Sequence, residues 1–120
     1  MLRKGNVEND VYEVARSFAL RVVRMYKFLV NEKKEFVMSK QVLRSGTSVG
    51  ANVFEGKNAQ SRADFTSKMN IALKEATETG YWLDLLHEVE CLDDSLFDSM
   101  NDDCNKLIAI LTKIVKATKQ

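Results

Sequence analysis

Apolar residues recur at alternating steps of three and four through Val7, Val11, Val14, Phe18, Val22, Met25 and Leu29, and similar spacings return three more times along a chain without proline. On a helix of ~3.6 residues per turn this spacing draws one apolar stripe. With no proline, nothing in these runs removes a backbone donor or forces a kink. The polar run Asn31 to Glu35 ends the first stripe, and Met38, Val42, Val49 and Val53 carry the second. Gly56 is placed to end that helix, because glycine enters the left-handed conformation of a C′ position without a side-chain clash.

A third helix is expected to start near Ser61, whose hydroxyl can cap free backbone NH groups, with Asp64 completing an approximate capping box. Phe65, Met69, Ala72, Ala76, Leu83 and Leu86 then face a core. After a break around Cys91, the residues Leu96, Met100, Cys104, Leu107, Leu111 and Ile114 supply a fourth stripe. Short connections favour antiparallel neighbours. The expected fold is therefore an all-α, up-down-up-down four-helix bundle forming one domain over residues 1–120.

Composition narrows the class further. Hydrophobic content of 45% and charged content of 29% lie near globular averages, which excludes a disordered or collagen-like chain. The amino terminus turns polar and acidic after two basic residues and lacks the apolar run of a secretion signal. No segment approaches the roughly 18 continuous apolar residues of a membrane span. Cys91 and Cys104 have no CxxC partner and read as reduced core or interface thiols. The expected compartment is the cytoplasm, with no membrane partner.

Helix two concentrates small residues at Ser45, Gly46, Thr47, Ser48, Gly50 and Ala51, which lets another helix approach closely. Its GTSVGAN lacks the GxxxxGK[ST] order and the lysine of a phosphate-binding loop. Arg44, Ser48, Asn52 and Glu55 follow one another at steps of four, four and three, forming a polar ridge. Glu75 and Glu78 on helix three can accept hydrogen bonds from Arg44 or Asn52 and set the register of the bundle as a buried polar network. No nearby nucleophile or metal set makes these carboxylates a catalytic pair.

His87 and Cys91 are four residues apart and share a helical face, but one histidine and two cysteines fall short of a four-ligand structural zinc site. A di-iron bundle needs two Glu-x-x-His pairs, which a single histidine excludes. Bundle-type ribonucleases place an arginine shortly before a histidine, where this chain has Tyr81, Trp82 and Leu83. The run from Asp93 to Asp103 holds five aspartates but lacks the glycine and terminal glutamate of a calcium loop. It reads as a solvated start to helix four, where carboxylates meet the positive end of the helix dipole. No cofactor is expected. Adjacent Tyr81 and Trp82 point in different directions, so one of them is expected at a subunit interface.

Charge is uneven: residues 1–34 carry eight basic and four acidic side chains, whereas residues 61–90 carry three and six. Arg16, Arg24 and Lys27 share one arc of the first helix, opposite its apolar stripe, and form the candidate nucleic-acid surface. Glu13 interrupts it.

The words RSGTSVGAN, SRADFTSKM and ALKEATETGYWL, in that order and with helices of these lengths around them, resemble the bacterial four-helix-bundle family, also known as the 23S ribosomal RNA intervening-sequence protein family. The resemblance covers essentially the whole chain and is densest from Arg44 to Leu86. It implies a small cytoplasmic bundle that assembles into a homo-oligomeric ring, reportedly a pentamer. A related branch includes the accessory variability protein of diversity-generating retroelements, a ring that binds a reverse transcriptase and nucleic acid. That branch is strongly basic, whereas this chain carries a net charge of +1. Together these readings lead to the expectation of a non-enzymatic oligomeric scaffold or adaptor. The alternative is an RNA- or DNA-binding accessory protein that uses a basic surface of the assembled ring.

Overall fold

The computed structural model describes residues 7–119, with side chains described from Val11 onward. Four helices account for nearly all of it: α1 (Val7–Asn31), α2 (Met38–Gly56), α3 (Arg62–Glu88) and α4 (Asp94–Thr118). Each helix packs against its neighbours in sequence, and α1 also meets α4, which closes the bundle. Contacts show the antiparallel order. Along α1, Val22 faces Gly46 and Ala15 faces Gly50; along α3, Ala76 faces Cys104 and Arg62 reaches Thr118. The up-down-up-down topology expected from the sequence is the one observed.

The core is the union of the four stripes. Val11, Phe18, Val22, Met25 and Leu29 of α1 meet Val42, Val49 and Val53 of α2, while Met69, Ala72, Ala76, Leu83 and Leu86 of α3 meet Met100, Cys104, Leu107 and Leu111 of α4. Ala15 and Leu92 join this core, whereas Val14, Phe65 and Leu96 are only half-buried against it. The side chain of Val7 lies outside the described side chains.

The connections are held by side chains as well as by turns. Ser61 Oγ accepts from the Asp64 amide at 3.0 Å, and Asp64 Oδ2 accepts from the Gln60 amide at 3.2 Å, so the capping box forms with its return bond one residue early. Asp93 caps α4 through the Leu96 amide at 2.8 Å. The start of α2 is capped by a residue the periodicity does not reveal. The Glu35 carboxylate accepts from the amides of Val37, Met38 and Ser39, the last at 2.6 Å, while Ser39 Oγ donates back to the Glu35 carbonyl at 2.8 Å. A carboxylate there also meets the positive end of the helix dipole.

The glycine expectation is corrected. Gly56 does not leave α2 in the left-handed conformation; the helix runs through it, and Lys57 follows at φ −61°. Gly56 is buried beneath α3, where a Cβ would collide with Met69 Cε. It is small because α3 packs there. Left-handed residues follow two other helices, Lys34 at φ 55° after α1 and Glu90 at φ 66° after α3; at Glu90 the Cys91 amide bonds the Leu86 carbonyl at 2.9 Å and the Glu90 amide bonds the His87 carbonyl at 3.0 Å. These two bonds form the Schellman motif, which accepts a glutamate here although glycine is the usual occupant.

Candidate functional site

The polar ridge of α2 divides into three separate arrangements. Arg44 donates to Glu75 Oε1 at 3.3 Å and to Glu78 Oε2 at 2.5 Å, and Trp82 Nε1 donates to the same Glu78 oxygen at 2.9 Å. Asn52 turns back along its own helix, donating to the Ser48 carbonyl at 2.9 Å and the Ser48 hydroxyl at 3.1 Å. Glu55 pairs with Lys68 of α3 at 3.0 Å. The α2–α3 register is thus marked by Arg44 with Glu75 and Glu78, and Asn52 takes no part in it.

This cluster lies at the surface, which corrects the expectation of a buried network. The Arg44 side chain is 52% exposed, so its ion pairs act in a high dielectric and contribute at most about 1 kcal/mol. The Trp82 hydrogen bond, then the Arg44 guanidinium, holds the Glu78 carboxyl below its ordinary range. Arg44 in turn is held above its ordinary value, first by its hydrogen bond to Glu78.

The buried polar contact sits one residue along each helix. Thr79 Oγ1 lies 2.8 Å from both Ser45 Oγ and the Glu75 carbonyl oxygen, so it can donate its one proton to the carbonyl and accept from the serine hydroxyl, and both side chains are fully enclosed. Both residues carry a sequence signal. Ser45 falls between Val42 and Val49 on the apolar stripe of α2, and Thr79 falls between Ala76 and Leu83 on that of α3, each spaced three and four from its neighbours. A polar residue in step with a core stripe has to find a partner inside.

The basic arc of α1 is exposed at Arg16, Arg24 and Lys27, with Leu20, 40% exposed, among them. The two arginines look to different sides. Arg16 lines a groove of about 270 Å³ between α1 and α2 with Tyr12, Ala19, Thr47, Ala51 and Phe54. Arg24 lines one of about 250 Å³ between α1 and α4 with Phe28, Leu96 and Met100. The floor of the first groove is made of small residues, and an aromatic pair stands at one end. The Tyr12 and Phe54 ring centroids are 5.7 Å apart, with Lys57 Nζ 4.5 Å from the Tyr12 ring. Arg21, absent from the expected basic surface, straps α1 to α4 by donating to Asp103 Oδ2 at 2.6 Å and Ser99 Oγ at 2.9 Å.

Tyr81 and Trp82 diverge as the helical geometry requires. Trp82 packs against the core, whereas Tyr81 is 55% exposed and meets the Trp82 ring edge-on at 5.0 Å. At the end of α3, His87 Nε2 lies 2.7 Å from Asp94 Oδ1, and the imidazole stacks on Phe97 at 4.1 Å and 7°. The Asp94 hydrogen bond raises the His87 pKa above its ordinary value. His87 therefore ties α3 to α4. Cys104 donates to the Ala76 carbonyl at 3.2 Å, and burial pushes its thiol up to about 11. Cys91 and Cys104 are both free thiols.

These contacts define an all-helical bundle protein whose polar side chains at the helix seams hold the helices in register. No helix among the described residues is long and apolar enough to cross a membrane. The profile of the 23S rRNA-intervening sequence protein family matches residues 7–113, and the chain belongs to that family. No curated protein matches it. Among solved structures it is similar to a protein of unknown function from the S23 ribosomal protein family of Bacteroides thetaiotaomicron VPI-5482. The two share 55% identity with a TM-score of 0.90, over 92% of this chain and 98% of the other.

Proposed function

We propose that this protein is a non-enzymatic, cytoplasmic scaffold or adaptor that works as a homo-oligomer. The observation that carries the reading is the placement of its large exposed side chains. Tyr81, Phe54 and Leu20 stand out from the flanks of three different helices, at 55%, 53% and 40% exposure, beside the Arg44–Glu78, Glu55–Lys68 and Arg21–Asp103 pairs that hold helices together. Aromatic residues displayed outside a filled core suit protein contacts, where a rigid amphipathic ring covers much area at low entropic cost. The family resemblance adds a ring of five subunits to this reading. Light scattering after size exclusion should give a discrete oligomer, and Tyr81→Glu or Phe54→Glu should reduce its mass without unfolding the bundle. A monodisperse monomer from low to high micromolar concentration would refute the proposal.

One observation favours a second reading, in which the assembled protein binds RNA or DNA. Arg16 and Lys57 flank the half-buried Tyr12 ring and the exposed Phe54 ring, so cations for phosphates and an aromatic face for a stacked base occur together. Binding through Arg16 and Lys57 beside these rings, with Arg24 and Lys27 further along α1, should weaken steeply as salt rises through counterion release; replacing Arg16, Arg24 and Lys27 by Ala should flatten that dependence, and adding Lys57→Ala should flatten it further. Fluorescence anisotropy with an unstructured oligonucleotide measures it. An unchanged salt slope in the triple variant rules out this surface.

A further inference from the structure

The outer ridge of α4 carries its charges in order along the helix. Asp94, Asp98, Asp102, Asn105, Ala109, Lys113 and Lys116 follow at steps of four, four, three, four, four and three, and every one of them is exposed. The ridge thus carries three carboxylates at one end, two small neutral residues in the middle and lysines at the other end, with Lys119 extending the basic half. The helix dipole accounts for only part of this order. Its effect fades within the first and last turns, and Asp102 and Lys113 lie beyond those turns of a helix spanning Asp94–Thr118. Within one chain, moreover, Asp94, Asp98 and Asp102 repel one another at spacings of four, as do Lys113 and Lys116 at three. Within the chain only His87 beside Asp94, and Lys106 four residues after Asp102, offset this repulsion.

We infer that α4 is a twofold docking ridge, on which a second copy of this chain lays its own α4 antiparallel. Placing Asn105 of one copy opposite Ala109 of the other brings Asp98 opposite Lys116. It also brings Asp102 within one residue of Lys113, and Asp94 within one residue of Lys119. All these pairs form twice, because the contact is isologous. The small central residues let the two helices approach closely, and each copy relieves the other's like-charge repulsion. A parallel arrangement would set carboxylate against carboxylate. The inference rests on the homo-oligomeric reading and goes beyond it: a ring closes through head-to-tail contacts, whereas this ridge joins subunits, or whole rings, in pairs.

The ridge is polar, so the contact is electrostatic. It should be strong at low salt and lost near 1 M salt, where the Debye length falls to ~3 Å. The test compares wild type with two charge reversals, Asp98→Lys/Asp102→Lys and Lys113→Glu/Lys116→Glu, by sedimentation at low salt. Thermal melts followed by circular dichroism check that the bundle remains folded. Each variant alone should have half the wild-type mass, whatever the ring size, and an equal mixture of the two should recover it. Wild-type mass in both separate variants, or association that persists unchanged at 1 M salt, overturns the ridge and leaves the scaffold reading standing. A wild-type protein that is monomeric under every condition overturns both.

Discussion

Replacing Gly46 by Ala should destabilise this bundle, while the same change one turn later at Gly50 should stabilise it. A Cβ at Gly46 would lie 2.8 Å from both Cγ1 and Cγ2 of Val22, a residue with no exposed surface. Carbons prefer roughly 3.5–4.0 Å, so Val22 would have to retreat by about 0.7–1.2 Å. It cannot rotate away, because a β-branched side chain in a helix has one strongly favoured rotamer. The strain falls on the α1–α2 packing, and such overfilling costs about 1–3 kcal/mol. At Gly50 the nearest atom to a new Cβ is the Ala15 carbonyl oxygen at 3.5 Å, an ordinary contact. Both substitutions gain about 0.8–1 kcal/mol of helix propensity. That common gain cancels in the comparison, so Gly50→Ala should exceed Gly46→Ala in stability by about 1–3 kcal/mol. Denaturant unfolding of both variants at equal protein concentration measures the difference. Adding Val22→Ala to Gly46→Ala should cost less than the sum of the two single changes, since one removes the obstacle to the other. Equal stabilisation by the two alanines would refute the close-approach argument.

The buried and exposed polar contacts between α2 and α3 should respond differently. Thr79→Val keeps the side-chain shape but leaves the enclosed Ser45 hydroxyl without its partner, at a cost of about 1–3 kcal/mol. Arg44→Ala, at a half-exposed side chain, should cost under about 1 kcal/mol. Denaturant midpoints in the reverse order would contradict this assignment of buried and surface contacts. His87 provides a pH test: its folded pKa is raised by Asp94, so the stabilisation it lends is fully present below the unfolded value of about 6.5 and lost as pH rises through the folded pKa. Its ring resonances, followed by NMR, should titrate above that of a free histidine and shift down in Asp94→Asn; no shift between the two proteins would exclude the contact.

The sequence by itself determined the helices, their order and most of the core, because stripes at steps of three and four must be buried and short connections leave few ways to bury them. It also placed the Ser61 and Asp64 cap, which depends on residues three apart in the chain. It placed Arg44 beside Glu75 and Glu78 as well, since both carboxylates lie one turn apart on the facing helix. Tertiary structure alone decided how deep these groups lie. Arg44 matched the expected partners yet stayed near the surface, while Ser45 and Thr79 turned inward, because burial depends on the rotation of each helix about its axis. The same holds for Gly56: a glycine suits both a helix terminus and a crowded crossing, and only the position of Met69 on α3 selects the crossing. Left-handed Glu90 carries no compositional mark, since its conformation is imposed by the hydrogen bonds that close α3. Likewise Arg16 and Arg24, which share one arc in a helical projection, face different grooves, because what an exposed side chain meets is set by the helices on either side of it.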